Sequence, residues 1–318
     1  MNPFSFIDAH VHTDLSDDSQ CPMEEYWAYL ESGQAKAIGF AEHWHPGIEA
    51  QFEKYPEFKR SAPFDNRTYK QKIEQGRAKG YTLYRGVELT YETQWHDLCM
   101  EAIRPQNYDY VMGSAHSFGG LWITREYWMN LDTGFAFPWI MDQYYQAVRQ
   151  CLLVPEFDVI AHIGIYRRNF PPNYYLLQYA KKQIEDLEDE IALAAARSGK
   201  VIEVNTSGMT KPAAGFLPGP FFLKRFLHYG GEKICLSSDA HFSKNLNLCF
   251  GEAAEQLVIL ALRRFIIPGI RILPCRWCKT LPQNNPSLCC LGRVFICLCH
   301  WPLPDPGQNN LCSLSRLF

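Results

Sequence analysis

Short apolar runs alternate with longer amphipathic stretches along most of the chain. Seven runs read as strands: FSFIDAHVH from residue 4, AKAIGFAEHW from 35, YTLYRGVELTY from 81, YDYVMGSAHS from 108, FDVIAHIG from 157, KVIEVNTSG from 200 and KICLSSDAH from 233. Between them, CPMEEYWAYLESGQ, NRTYKQKIEQGRAKG, WIMDQYYQAVRQCLL, LLQYAKKQIEDLEDEIALAAARSG and PGPFFLKRFLHYGG repeat apolar residues at helical spacing. Several of these end in glycine, as helix C-termini do. Strands that are apolar along nearly their whole length are buried on both faces, so the alternation predicts an α/β fold: a parallel sheet covered by helices. Seven strand–helix units fit a closed barrel of the triosephosphate-isomerase type, one unit short of the usual eight. An open doubly wound sheet is the alternative. The long connections at 44–64 and 117–138 are rich in aromatics, Pro and Gly, and are expected over the barrel mouth as lid or pocket loops.

The pattern stops near Val258. Residues 258–318 hold seven prolines, seven cysteines and one acid, with no periodicity that survives the prolines. The expected division is therefore a barrel over 1–257 and an atypical Cys/Pro-rich tail over 258–318, irregular or out of frame. A small zinc module built from Cys275, Cys278, Cys289, Cys290, Cys297, Cys299 and His300 is the alternative, but the later thiols do not fall into two clean pairs.

Charge divides at the same point. The first 257 residues carry 24 Lys and Arg against 33 Asp and Glu, a net of −9, and the tail carries 7 against 1. An acidic body lacks the basic field that long nucleic acid requires. The N-terminus has no charged segment followed by an apolar one, and no run reaches the roughly 18 apolar residues of a membrane span. The five scattered cysteines of the body suit reduced, buried thiols. These features predict a cytoplasmic protein acting on a small molecule, with no long nucleic acid and no membrane as partner.

Candidate chemistry lies at the carboxyl ends of the predicted strands. The first ends in Asp8, His10 and His12, followed by Asp14, Asp17 and Asp18; the second ends in Glu42, His43 and His45. The third ends in Glu88, the fourth in His116, the fifth in His162 and the last in Asp239 and His241. Strand periodicity sends His10 and His12 to one side, and in a parallel barrel all such ends converge on one mouth. Two imidazoles facing one way are costly to bury without a cation. Imidazoles mixed with carboxylates suit zinc, manganese or iron rather than magnesium. Nine candidate ligands, His10, His12, Asp17, His43, Glu88, His116, His162, Asp239 and His241, are too many for one tetrahedral ion. They predict two or three divalent metals with a bridging carboxylate, and paired metals of this kind clamp phosphate and generate a nucleophile at neutral pH. His45, His96, His228 and His300 are read as ordinary core or surface histidines.

Around this cluster, Arg167 and Arg168 directly follow the fifth strand and are candidate phosphate clamps. Ser117 and Asn205, with Ser207, are candidate neutral donors. Trp44, Trp122 and Tyr91 are candidate walls for an imidazole-bearing substrate, but in a chain this aromatic core or rim packing is the favoured reading.

These motifs together resemble the PHP (polymerase and histidinol phosphatase) superfamily. DAHVHT stands for its first motif, EHW for the second and GVE for the third. GSAHS, IAHIG and SSDAH stand for the remaining ones, and the resemblance runs from residue 4 to about 257. It implies a distorted (βα)7 barrel with a trinuclear site at the strand C-termini. One metal would take His10, His12, Glu88 and Asp239; a second Glu88, His116 and His162; a third Asp17, His43 and His241. Size, the single-domain body and the aromatic insertions look most like histidinol-phosphate phosphatases, which implies conversion of L-histidinol phosphate to L-histidinol in histidine biosynthesis. In that reading Glu88 bridges metals, and Asp17 or His241 carries a proton. The fifth motif continues as HIGIYRRNF, where that branch often has Pro-Asp or Phe-Asp. A phosphoesterase acting on nucleotides and a metal-binding domain without turnover are the alternatives.

Overall fold

The computed structural model describes residues 6–50, 64–124, 133–171, 174–211 and 214–259. All seven predicted strands form one sheet: β1 Phe6–Val11, β2 Ala35–Trp44, β3 Leu83–Thr90, β4 Tyr110–Ser114, β7 Val159–Ile160, β8 Val201–Asn205 and β9 Ile234–Ser237. They pair in parallel in that order. The sheet curls until its edges meet, with Val11 bridging Ala240 and the His12 amide donating to the Ala240 carbonyl. It is a seven-stranded barrel rather than an open doubly wound sheet.

Two residue populations build it. Within the barrel, Tyr110 and Met112 lie among Ala9, Ala41, Val159, Ala161, Val201 and Cys235. The Tyr110 hydroxyl crosses the barrel to donate to the Ala9 carbonyl at 2.7 Å. Gly39 and Gly86 give its ring room, because a Cβ at either position would collide with Tyr110. Outside, α1 Met23–Glu31 and α3 Asn66–Ala78 cover β1 to β3 with Tyr26, Trp27, Tyr69 and Ile73. The larger outer core draws on α4 His96–Ile103, α5 Thr133–Leu153, α7 Lys181–Ser198, α8 Pro220–His228 and α9 Phe250–Ile259. Phe250, Ala253 and Leu257 on α9 are fully buried, so the body continues through this helix.

Four short elements escaped the sequence pattern: α2 Pro46–Glu49, α4, and the two-residue strands β5 Ser117–Phe118 and β6 Leu121–Trp122, which form a hairpin. The α6 Tyr175–Tyr179 and α7 helices replace the single helix predicted over 176–199, with Gly199 ending α7 at φ 69°. The tail readings, zinc module and irregular segment alike, lie outside the described residues, as do parts of both long connections. No helix among the described residues is long and apolar enough to cross a membrane.

Candidate metal centre

Glu88, near the end of β3, is completely buried and ringed by imidazoles from four other strands. Its Oε2 lies 2.7 Å from His43 Nδ1, 3.2 Å from His10 Nε2 and 3.6 Å from His12 Nε2. Its Oε1 lies 2.6 Å from His162 Nε2 and 3.1 Å from His116 Nε2, and accepts from Ser114 Oγ. Two oxygens thus face two sets of rings, the geometry of a bridging carboxylate.

The candidate ligands gather in overlapping groups. His10 and His12 sit with Asp239, whose Oδ1 is 3.2 Å from His12 Nε2. His43, Glu88 and His116 form another group, with the His116 and His162 Nε2 atoms 3.3 Å apart. His12, His43 and His241 form a third. Asp239 holds a backbone φ of 53°, a region that Asp tolerates better than most residues and that directs its carboxylate into the cluster.

The structure departs from the expected third set at its carboxylate. Asp18, not Asp17, lies between His43 and His241, its Oδ1 3.5 Å and 3.1 Å from their Nε2 atoms. Asp17 instead faces His45, at 3.8 Å. Both acids sit in the loop after β1, where no strand or helix period fixes which of two neighbours turns inward. His45, read from sequence as ordinary, borders the mouth cavity, and Thr90 Oγ1 links its Nδ1 to that of His116 at 2.7 and 2.8 Å.

A metal site needs donors whose lone pairs have no better partner, and this cluster supplies them. His43 Nδ1 and Glu88 Oε2 are both buried and close, yet misaligned for a hydrogen bond. The Nε2 atoms of His10 and His12 are 2.9 Å apart. His10 Nδ1 donates to Glu203 at 2.6 Å, and His12 Nδ1 is 3.0 Å from Ser16 Oγ. With Nδ1 carrying the proton, both neutral rings aim Nε2 lone pairs at the same space, which a shared cation satisfies. His241 Nδ1 is held likewise by the Asp239 carbonyl.

Glu203 and Ser16 were invisible as site residues in sequence, although an acid inside the apolar run VIEVN is itself a signal of a buried partner. Asp8, the first residue of the alternating trio, turns elsewhere. It accepts from the Ser238 and Asn247 amides and from the Ser238 hydroxyl, anchoring the chain on either side of Asp239, and burial raises its carboxyl to about 6.

Electrostatics follow the same geometry. Burial alone would raise Glu88, but His116, His10, His43 and His162 hold it well below the usual carboxylate range. Against the opposing effect of burial, Glu203 and Glu88 hold His10 well above the usual imidazole range, and Asp18 and Glu88 do the same for His43. Burial lowers His116 to about 4, and burial with His43 and His241 nearby lowers His12.

A cavity of about 500 Å³ opens over the cluster, bordered by His43, His116, His162, Asp239 and His241, with Asp17, Asp18, Trp122, Arg168 and Ser207 on its walls. Arg168 reaches in and donates to Asp239 Oδ2 at 2.8 Å. Arg167 does not reach this cavity. Both arginines lie in the 3₁₀ turn Ile165–Asn169, whose three-residue period separates neighbours by about 120°, and Arg167 points the other way to donate to Glu188. Neither Ser117, whose hydroxyl donates to Glu92, nor Asn205, whose Oδ1 accepts from Ser207, borders the cavity. Trp122 borders it, whereas Trp44 packs on Phe64 and Tyr91 on Phe157.

Residues 8–207 match the PHP domain family, well over half of the chain. The chain belongs to the PHP family. Among its relatives, a protein of Clostridium acetobutylicum named "Probable histidinol-phosphatase" is 26% identical over 250 residues, covering 78% of this chain and 91% of that one. One of Thermotoga maritima with the same name is 20% identical over 269 residues, covering 84% and 97%. The PHP fold is also that of the crystal structure of a histidinol phosphate phosphatase from Lactococcus lactis, complexed with zinc, L-histidinol and phosphate. The two share a TM-score of 0.64 at 18% identity over 83% of this chain and 98% of that one. A putative histidinol phosphatase from Listeria monocytogenes gives a TM-score of 0.63 at 16% identity, covering 77% and 99%.

Proposed function

We propose that this PHP protein is a metal-dependent phosphomonoesterase that releases phosphate from L-histidinol phosphate. The observation that carries the reading is Glu88, which presents its two oxygens to five imidazoles from four strands beneath an open cavity with an arginine on its wall. The names and bound ligands of the relatives supply the substrate.

His10, His12, Glu88 and Asp239 would hold one ion, Glu88, His116 and His162 a second, and Asp18, His43 and His241 a third. Bound there, zinc, manganese or iron polarises phosphoryl oxygens and lowers the pKa of water. The chain itself does the rest. Arg168 lies at the cavity edge, held by one donor on Asp239, and its remaining N–H groups are available to orient a phosphate bidentately. Asp239 presents one oxygen to His12 while Arg168 holds the other, so a single ion pair fixes both the ligand and the clamp. Asp18, more than half exposed, and His241 stand together at the mouth as the outermost of these ligands. Asp17 and His45 form a second acid–imidazole pair bordering the same cavity. Trp122, edge-on to His45, walls the cavity beside His116.

The test is phosphate release from L-histidinol phosphate set beside para-nitrophenyl phosphate and a dinucleotide. A strong preference for the first supports the substrate. Preference for the dinucleotide supports the nucleotide alternative, and no turnover with metal bound supports the binding-domain alternative.

A further inference from the structure

Ser16 lies in the turn after β1 and belongs to none of the proposed ligand sets, yet it touches two of them. Its Oγ donates to Glu42 Oε2 at 2.6 Å, accepts from the His43 backbone N–H at 2.9 Å and lies 3.0 Å from His12 Nδ1. Glu42 is completely buried, and its other partners are the Thr13 amide and hydroxyl, both donors. A serine hydroxyl has one proton. Here that proton is directed to a carboxylate surrounded only by donors, so Ser16 meets both His43 N–H and His12 Nδ1 as an acceptor. His12 must then carry its ring proton on Nδ1, which leaves the Nε2 lone pair facing His10 Nε2 and Asp239.

We propose that the Ser16–Glu42 pair is a positioning device for the metal centre: it sets the ring tautomer of His12 and at the same time pins the backbone of His43, two donors from different strands that the third ligand group brings together. The inference rests on the metal-centre reading. It assigns the polar loop after β1 a role in setting metal affinity, distinct from the carboxylate partner that Glu203 provides for His10. Glu42 serves as the anchor because an acceptor-only group at its position prevents Ser16 from turning its proton toward His12.

The test uses the full-length protein loaded with zinc and titrated with a competing chelator, with folding followed by circular dichroism. In Ser16→Ala, apparent zinc affinity should fall roughly 10- to 100-fold, the usual effect of removing an orienting partner. In Glu42→Gln, where Ser16 is released to donate elsewhere, affinity should fall in the same direction while the fold is kept. Ser16→Thr, which retains the hydroxyl, should restore affinity to within a few-fold of the parent. Long-range nitrogen–proton spectra of the imidazoles should place the His12 proton on Nδ1 in the zinc-loaded parent. Parent-like zinc affinity in folded Ser16→Ala overturns the proposal, as does the Nε2 tautomer in the parent. If Ser16→Ala does not fold, parent-like affinity in Glu42→Gln overturns it. A parent protein that takes up no zinc would instead refute the metal-centre reading.

Discussion

Glu88→Gln keeps the size and shape of the side chain but removes a full charge and one of two oxygen acceptors. In the structure Glu88 is completely buried, with five imidazole nitrogens within 3.6 Å and one hydroxyl donor. Removing one partner from a buried charge network costs roughly 3–5 kcal/mol. That cost falls on the fold; for metal affinity, removing even an orienting partner costs roughly 10- to 100-fold, so loss of a direct ligand should cost about two decades or more. A glutamine also presents only one carbonyl oxygen, so it cannot face both ring sets at once. The variant should therefore fold but lose at least one metal per chain under chelator, and its phosphatase turnover should fall by at least two decades. Elemental analysis after gel filtration, with phosphate release measured on the same sample, reads both. Full metal content with parent-like turnover would refute the bridging role. Full metal content with lost turnover would confine Glu88 to chemistry.

Three further expectations follow from the same geometry. Arg168→Ala should lower kcat/KM about ten- to a hundred-fold, the scale of one charge-assisted contact, while Arg167→Ala should leave kinetics unchanged and lower the melting temperature, because it strips the buried Glu188 of its cation; equal kinetic losses would contradict the opposite orientation of the two. For the metal-free protein, the imidazoles of His10, His43 and His241 are raised by nearby carboxylates, so their stabilisation is complete below the usual imidazole pKa and is lost as pH climbs through the raised values. Metal binding requires the same rings to be neutral, so between pH 7 and 8.5 thermal stability should fall for the metal-free form while zinc affinity rises, and slopes of the same sign in thermal shift and chelator titrations would contradict this. Finally, because α9 seats Phe250, Ala253 and Leu257 in the core and the strand ring is complete before it, a chain ending at Ile259 should melt within a few degrees of the full-length protein; a large loss would show that the tail contributes to the packed body.

The barrel was legible because its strands are short, nearly all apolar and bounded by helical stretches, and the ring of candidate ligands was legible because a parallel barrel brings every strand C-terminus to one mouth. What strand periodicity governs, such as His10 with His12 on one side, could be read directly. Where periodicity ends, the reading ended too. Asp17 and Asp18 exchange places in a loop, His45 lies one residue past β2 and was set aside, and Arg167 and Arg168 diverge in a 3₁₀ turn that the sequence did not announce. Glu203, Thr90 and Ser16 orient histidines from positions 193, 26 and 4 residues away; the acid within VIEVN signals a buried partner without saying which, and nothing local marks Thr90. Helix α4 was missed because eight residues with no side-chain cap carry too little pattern.

The most direct test of the central claim is to quantify bound metal on the purified protein and, on the same preparation, measure phosphate released from L-histidinol phosphate with and without chelator. Two or three divalent ions per chain, chelator-sensitive turnover and clear preference over para-nitrophenyl phosphate and a dinucleotide are the predicted result. Turnover that survives complete removal of metal, or a metal-loaded protein that leaves L-histidinol phosphate intact, would contradict it.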